Sequence, residues 1–440
     1  MNIRQLQNKY WLRTGLVCLI LSMSSACHLT TSQGAEPVTT PAFAAPSTPA
    51  PLTASKVDRQ GYLKAQQRIQ AARETQATTL DLQGLGLVKL PPEIGQLQHV
   101  QTIHLVSNSL QTLPPEIGQL KQLKTLNLSG GRINRLPPEI GQLSNLRWLN
   151  LYQNQLSALP PEIGQLKQLQ RLDIRNNRLS ALPPEIGGLK NLKRLTLHHN
   201  QLKTLPPEIG QLNNLQKLAV DYNQLNYLPA EIGQLENLVS LDLPYNKLQH
   251  LPESIGQLNS LQELRLNFNQ LTHLPKEISQ LHRLELLLLT SNKLQRFPTE
   301  IIQLTDLKFL HLGNSLLVLA FSVQSHLKEE YATTFNKIDP LPPEIGQLTQ
   351  LQDLNLGSCM LLNLPPEIGT LTNLQKLGLS NNRLMSVPPE IGKLASLQGL
   401  QLSYNQLTSL PSELKALTHL EYLDLSNNPL PAEVMEQYQR

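Results

Sequence analysis

The sequence predicts an α/β solenoid in which short parallel strands form one continuous sheet. A phrase of the form LPPEIGQLxxLxxLxLxxNxL recurs with a period of 23 residues. A period of this length is typical of chains whose turns stack on their neighbours. Leucine also alternates with polar residues inside each copy, which indicates a half-buried strand. The leucine-proline start of the phrase is found at Leu90, Leu113, Leu136, Leu159, Leu182, Leu205, Leu228, Leu251 and Leu274.

The strand of each copy and the bend after it are predicted by three residues of one example. Leu149 and Leu151 alternate with polar residues, so both side chains are expected in the core. Asn154 follows where the chain must bend, and its amide carries both a donor and an acceptor. Stacked copies are therefore expected to form an asparagine ladder that satisfies backbone groups of neighbouring turns.

The remainder of each copy predicts an extended turn followed by a 3₁₀-like or short extended segment. Pro160 and Pro161 lack the backbone donor that strand pairing needs. Ile163, Leu166 and Leu169 follow at a spacing of three. That spacing favours a 3₁₀-like or short extended segment over a full α-helix.

These motifs resemble the leucine-rich repeat family, in its 23-residue type with LPxxIxxLxxL on the convex side. The resemblance covers Leu80 to about Leu430. It implies a curved parallel sheet on a concave face, with short 3₁₀ or extended segments on the convex face. It also implies that the chain acts by binding other proteins on the concave face.

The asparagine of the ladder is replaced in three copies. Gly131 and Ser315 stand at two of these positions, and Cys359 stands at the third. Cysteine is accepted at this position in the family motif. We therefore interpret Cys359 as a buried ladder thiol, with a reactive thiol as the alternative.

One segment departs from the period. Phe297 and Leu341, which begin consecutive recognisable copies, lie 44 residues apart, two short of two periods. We interpret residues 320–340 as one shortened turn, with a strand at Tyr331–Thr333 and higher mobility at Val323–Glu330. This interpretation gives about 16 strands between residues 80 and 430. The alternative is a kink or a loop specific to a partner.

The N-terminus has the layout of a secretory signal. Arg4, Lys9 and Arg13 precede an apolar run at residues 15–21, which is too short to span a membrane. Small residues then lead to Cys27, as at the cleavage site of a bacterial lipoprotein. We therefore predict a signal peptide at residues 1–26 and lipidation of Cys27. The alternatives are an ordinary cleaved signal on a secreted protein, or an unused signal on a cytoplasmic one.

Separate segments are expected at the two ends of the solenoid. Residues 27–56 begin at the lipidation site and are otherwise rich in Thr, Ser, Pro and Ala, which predicts a disordered tether. Residues 57–79 place Leu63, Ile69 and Ala72 among polar residues and predict a capping helix. Residues 431–440 predict a short C-terminal cap.

The three cysteines, Cys18, Cys27 and Cys359, leave no internal disulfide once a signal is removed and Cys27 is lipidated. The disulfide-bonded caps of many extracellular eukaryotic family members are therefore absent, which favours a bacterial origin and a lipid anchor in the cell envelope.

Composition and motifs point away from catalysis and nucleic acid. Charged residues make up 16% of the 440 residues, and the net charge of +4 does not indicate nucleic-acid binding. No metal-ligand spacing, phosphate-binding glycine loop or nucleophile motif is found in the sequence. We expect no enzyme activity, no cofactor and no small-molecule substrate.

The register of the repeats predicts which residues of the middle copies face a partner. Tyr222, Tyr245 and Phe268 occupy one position on successive turns and should form a continuous aromatic row. Aromatic and arginine side chains carry much of the energy of protein interfaces. Beyond the row, Leu286, Leu288 and Phe309 are also expected to face outwards, where they contact a partner or, as the alternative, pack under the irregular segment. The predicted partner-binding residues are Trp148, Tyr152, Arg171, Arg175, Arg194, His198, Lys217, Tyr222, Tyr245 and Phe268.

Three functions remain open at this stage. The first is a scaffold that binds an unknown protein and is held at the bacterial cell envelope. The second is a surface adhesin that binds a host molecule with the same face. The third is a binder of cell-wall polysaccharide, in which the aromatic row would stack on sugar rings. Random variation on a solvated sheet is the alternative to a binding role for these residues.

Overall fold

The structure is a computed structural model, and it describes residues 56–314 and 335–438. Within these ranges, 15 parallel strands form one sheet, and their order in space is their order in the chain. The predicted parallel-sheet solenoid is confirmed. Strands β1 to β15 are Thr79–Asp81, Thr102–His104, Thr125–Asn127, Trp148–Asn150, Arg171–Asp173, Arg194–Thr196, Lys217–Ala219, Ser240–Asp242, Glu263–Arg265, Leu286–Leu288, Phe309–His311, Asp353–Asn355, Lys376–Gly378, Gly399–Gln401 and Tyr422–Asp424.

Each strand pairs with its neighbour in register with the repeat. Leu149 of β4 lies opposite Leu172 of β5, which lies opposite Leu195 of β6. These middle residues are buried in the single continuous core. The first and third residues of every strand point to the other side of the sheet, which we call the sheet face. The alternation expected from the sequence is therefore present.

A 3₁₀ helix of five residues follows most strands, as the spacing of three predicts. In the copy at Pro161–Gln165, Ile163 is fully buried. Gly164 packs against the next helix so closely that a Cβ would collide with the carbonyl oxygen of Glu185. The described 3₁₀ helices are Pro92–Gln96, Pro115–Gln119, Pro138–Gln142, Pro161–Gln165, Pro184–Gly188, Pro207–Gln211, Ala230–Gln234, Glu253–Gln257, Lys276–Gln280, Thr299–Gln303, Pro343–Gln347, Pro366–Thr370, Pro389–Lys393 and Ser412–Ala416.

The predicted asparagine ladder is confirmed by its hydrogen bonds. The Nδ2 of Asn154 donates to the carbonyl oxygens of Leu128 and Leu151, at 2.9 and 3.1 Å. Its Oδ1 accepts a hydrogen bond from the backbone N–H of Ile133 at 2.9 Å. Each ladder asparagine thus joins its own turn to the preceding one and satisfies buried backbone groups.

The irregular segment is an insertion, and the interpretation of residues 320–340 as a shortened turn is wrong. Asn336 donates to the carbonyl oxygens of Leu289 and Leu312 and accepts from the N–H of Leu294. These are the groups that Ser315 would reach if the 23-residue period continued from Asn292. Residues 315–335, which are 21 in number, therefore interrupt a single copy.

The pairing of the two strands that flank residues 315–335 also supports an insertion in place of a shortened turn. β11 pairs directly with β12, with Leu310 opposite Leu354. No further strand lies between them, so the described sheet has 15 strands where about 16 were expected. The predicted strand at Tyr331–Thr333 and the predicted mobile stretch at Val323–Glu330 lie outside the described residues.

Helix α1, Lys56–Glu74, precedes β1, and helix α2, Ala432–Tyr438, follows β15. Ala65, Ile69 and Ala72 of α1 are buried against the core. Leu63 was expected on this buried side, but its side chain is exposed, and Ala65 packs instead. Neither described helix is long and apolar enough to cross a bilayer. The predicted signal, Cys27 and almost all of the tether lie outside the described residues.

Candidate functional site

A line of basic residues crosses the sheet face on β5 to β7, beside Trp148 of β4. Trp148 pairs in register with Arg171, Arg171 with Arg194, and Arg194 with Lys217. These first residues of four adjacent strands therefore form one line across the sheet, with neighbouring strands about 4.8 Å apart. The sequence-predicted residues Trp148, Arg171, Arg194 and Lys217 are brought together as expected from the register.

Three of the predicted binding residues, two cations and a histidine, are already paired within the protein. Nε and Nη2 of Arg175 donate to the carboxylate of Asp173, with a shortest distance of 2.6 Å. Nζ of Lys217 lies 2.8 Å from Oδ2 of Asp242, and Oδ1 of the same carboxylate accepts a hydrogen bond from Nη1 of Arg265. The third, His198, contacts Asp221 of the next turn. These pairs leave little of their charge for a partner.

The environment of His198 keeps its imidazole neutral at pH 7. Burial, and then the positive charge of Arg175, lower the pKa of His198 to about 4. The contact with Asp221 is therefore a hydrogen bond from a neutral ring N–H to a carboxylate. His198 thus acts as part of the polar lining of the sheet, although the sequence suggested a binding residue.

Four cations at the start of β5 and β6 or immediately before β4 and β6 are exposed and unpaired. Among the residues that the structure describes, no salt bridge or side-chain hydrogen bond reaches Arg147, Arg171, Lys193 or Arg194. We call these four residues the free cation cluster. Sequence reasoning identified Arg171 and Arg194 but missed Arg147 and Lys193, which immediately precede β4 and β6. Each of these two residues immediately precedes a strand predicted from the sequence, and this position could have identified them.

Aromatic rings flank this cluster on the β4 turn. Trp148 is half-buried at the start of β4, beside Arg171 of β5. The guanidinium carbon of Arg175 lies 5.1 Å from the centroid of the Tyr152 ring, within the range of a cation–π interaction. Tyr152 and Arg175 therefore support each other, and both belong to the predicted site.

The predicted aromatic row exists and contains four rings. Successive ring centroids from His199 through Tyr222 and Tyr245 to Phe268 are 4.2 Å apart, with interplanar angles of 12–17°. All four residues have φ between +52° and +54°. We call them the aromatic stack. His199 was not among the predicted row residues, although it lies 23 residues before Tyr222.

Stacking reduces the part of each ring that a partner can contact. The faces of Tyr222 and Tyr245 are covered by their neighbours, so mainly ring edges and hydroxyl groups are presented outwards. Phe268 is only 9% exposed, so its ring does not face solvent as the register of the repeats predicted. Its position at the end of the stack makes it chiefly a packing residue.

The apolar residues expected to face outwards near the insertion are also partly covered. Leu286 is buried, while Leu288 and Phe309 are half-buried. The prediction that all three are exposed is therefore wrong for Leu286. They do not present an open apolar surface comparable to the charged surface on β4 to β6.

The described residues contain no group of histidine, cysteine or acidic side chains arranged to hold a metal ion. His198 and His199 turn to different partners, Asp221 and the Tyr222 ring. Cys359 is fully buried, and burial raises the pKa of its thiol. Its Sγ donates weakly to the carbonyl oxygen of Leu312, as expected of a thiol on the ladder.

The fold and its repeat define the class of protein. A leucine-rich repeat region model matches residues 134–219 and 191–269, and leucine-rich repeat models also match residues 260–281 and 372–430. A solved leucine-rich repeat protein of Leptospira interrogans is 43% identical, with 84% of this chain and 95% of that chain covered and a TM-score of 0.68. The chain therefore belongs to the leucine-rich repeat family, whose members are generally interaction scaffolds and not enzymes.

Two further solved structures are similar. The plant peptide hormone receptor RGFR1, solved in complex with RGF2, is 30% identical over 80% of this chain and 67% of that chain, with a TM-score of 0.53. An internalin of Listeria monocytogenes shares the fold at 20% identity, with a TM-score of 0.61 over 84% of this chain and 97% of that chain. No match was found among the curated proteins.

Proposed function

We propose that this protein is a non-enzymatic scaffold that binds a partner protein on the sheet face of β4 to β8. The observation that carries the proposal is the free cation cluster beside Trp148 and Tyr152. Arginine and aromatic side chains are the residue types that most often dominate interface energies. A stacked sheet presents them on a rigid surface, so little conformational entropy is lost when a partner binds.

The similar proteins support a protein partner. The receptor RGFR1 was solved in complex with RGF2, and its class is described as a peptide hormone receptor. A protein-binding role for this chain rests on that likeness together with its own charged and aromatic face.

A surface adhesin that binds a host protein is a variant of the same proposal, because it would use the same face. Binding of cell-wall polysaccharide is less well supported. Sugar rings stack on free aromatic faces, whereas the rings of Tyr222 and Tyr245 are covered on both sides by other rings. The aromatic stack therefore offers poor platforms for a saccharide.

The binding proposal is tested by capture of a partner with matched variants. Arg171→Glu with Arg194→Glu changes the free cation cluster, and Tyr152→Ala removes an adjacent ring. Glu185→Ala with Glu367→Ala serves as the control, since both glutamates are exposed on 3₁₀ helices away from the sheet face. Both sheet-face variants should bind at least about tenfold more weakly, a loss of about 1.4 kcal/mol, with circular dichroism unchanged.

The result for the Glu185 and Glu367 control shows which side of the solenoid binds the partner. A partner that is retained by both sheet-face variants but lost by the Glu185 and Glu367 control would place the binding site on the 3₁₀ side. That outcome would overturn the proposed face and leave the family assignment intact.

We further propose that the scaffold is tethered to a bacterial cell envelope through a lipid on Cys27. The support is the charged start, the short apolar run and the small residues before Cys27. Metabolic labelling with a palmitate analogue should mark the wild type and leave Cys27→Ser unmarked. Equal labelling of both proteins would reject the anchor and favour a secreted or cytoplasmic protein.

A further inference from the structure

We propose that the sheet face of β4 to β6 takes an acidic peptide segment of the partner, whose carboxylates bind Arg171 and Arg194. This inference rests on the proposed scaffold function and names the chemistry of its partner. Arg171 and Arg194 lie directly opposite each other on neighbouring strands. Both side chains are exposed, and both guanidinium groups are without an ion pair among the described residues.

The nearest carboxylate on the same strand is already occupied. Asp173 lies two residues after Arg171, and both of its oxygens accept hydrogen bonds from Arg175. At the equivalent positions on the next two strands stand Thr196 and Ala219, which carry no charge. Among the described residues, no carboxylate therefore contacts Arg171 or Arg194, and Asp221, the other carboxylate near this part of the sheet, contacts His198.

Adjacent basic residues without a carboxylate partner repel one another across the sheet. Like charges directly opposite on paired strands destabilise a sheet. Arg194 has Arg171 on one side and Lys217 on the other. Elsewhere on the same face, cations alternate with carboxylates, as in the pairing of Asp242 with both Lys217 and Arg265. A bound anion would relieve the repulsion at Arg194 that the fold itself leaves in place.

A carboxylate-bearing peptide matches the chemistry of the cluster. Guanidinium groups bind carboxylates in a two-pronged arrangement that adds geometric specificity. Side chains on one side of an extended peptide recur about every 6.7 Å, a spacing that two long arginines on adjacent strands can accommodate. Trp148, in register with Arg171, can contact an apolar residue beside the carboxylates.

The ion pairs further along the sheet limit the length of the segment. Lys217 of β7 is already paired with Asp242. Arg265 of β9 is paired with Asp242 and Glu263, and Lys308, immediately before β11, is paired with Glu285. These cations offer little free charge to a carboxylate, so the anchoring carboxylates should be few and should lie over β4 to β6.

The test uses a fluorescein-labelled peptide of repeated Glu-Ala-Glu-Leu and a matched peptide of repeated Gln-Ala-Gln-Leu. Fluorescence polarisation with the full chain at about 50 mM NaCl should give at least about tenfold tighter binding of the acidic peptide. Arg171→Gln with Arg194→Gln should weaken that binding at least about tenfold. Arg132→Gln with Arg135→Gln removes the same charge from exposed residues off the strands and should have little effect.

Several results would overturn the inference. They are equal affinity for the two peptides, equal losses in both double variants, or no binding of the acidic peptide up to about 1 mM. Tight binding of a sulfated heparin fragment in place of the peptide would reassign the cluster to polysaccharide. If a captured partner depends on Arg171 and Arg194 but the acidic peptide does not bind, the scaffold function stands and the acidic-segment inference fails.

Discussion

Asn336 follows Asn292 on the asparagine ladder, although 44 residues separate the two in the chain. Both side chains donate to the carbonyl oxygen of the preceding turn and of their own turn. The ladder and the sheet thus continue past residues 315–335 as though these residues were not there. The described part of the solenoid runs to Asn314 and continues from Asn336 with the ladder in step.

Deletion of residues 315–335 should therefore leave the solenoid folded. Joining Asn314 to Asn336 restores a spacing of 23 residues between Phe297 and Leu341. Circular dichroism should retain the strand signal, and the melting temperature should change by only a few degrees, because β11 and β12 already pair directly.

A deletion of equal length elsewhere provides the control. Removing residues 246–266 takes away Asn246 together with β9 and shifts the register of the following copy. This variant should lose cooperative unfolding. If deletion of residues 315–335 is as damaging as the control, the segment is part of the solenoid and its interpretation as an insertion fails.

Substitutions at core, ladder and surface positions of one copy should lower the free energy of unfolding by different amounts. Leu241→Ala leaves a cavity at a fully buried position and should cost about 2–5 kcal/mol of the free energy of unfolding. Asn246→Ala removes hydrogen bonds to Val220, Leu243 and Leu225 and should cost about 1–3 kcal/mol. Urea unfolding measures both losses.

The surface control for these substitutions is Gln249→Ala, at an exposed position of the same turn. Its free energy of unfolding should lie within about 0.5 kcal/mol of the wild type. Similar losses in the Leu241, Asn246 and Gln249 variants would show that the assigned register is wrong.

The aromatic stack should contribute to stability through ring contacts. Phe268→Ala removes a nearly buried ring and should cost about 3 kcal/mol. A double-mutant cycle between Tyr222 and Tyr245 should give a coupling energy of about 0.5–1.5 kcal/mol. Tyr227→Ala, at a ring that is 48% exposed, is the control and should change little. A coupling energy of zero would show that the stacked geometry carries no stability.

The pKa of His199 should lie below its ordinary value of about 6.5 because stacking against Tyr222 partly buries the ring. The folded protein then binds a proton less readily than the unfolded chain. Stability contributed by the neutral ring is complete above pH 6.5 and falls as the pH drops below that value. An NMR titration of His199 measures the shift. Tyr222→Ala exposes the ring and should raise the pKa, and an unchanged value would contradict this cause.

The Cys359 thiol should be unreactive in the folded protein. Burial raises its pKa, so little thiolate forms at neutral pH, and reagent access is blocked. In a Cys18→Ser and Cys27→Ser background, Ellman's reagent should label Cys359 only after denaturation. Rapid labelling under native conditions would instead identify a reactive thiol.

The sequence predicted much of the candidate site but not how its charges are distributed. The register located Arg171, Arg175, Arg194 and Lys217 on one face, because side chains alternate along a strand. Pairing between strands depends on side-chain conformations that a repeat pattern does not encode. Only the structure separated Arg175 and Lys217, whose charges are neutralised internally, from Arg171 and Arg194, whose charges are free.

By itself, the sequence determined the strand, the ladder and the 3₁₀ helix of each regular copy. One copy cannot bury its own leucines, so a period of 23 residues allows only stacking in register. The tertiary structure decided where the period is interrupted. Counting residues made the 44 between Phe297 and Leu341 look like two copies. The hydrogen bonds of Asn336 assign them to one copy and an insertion, because a ladder position is defined by the backbone groups that it satisfies.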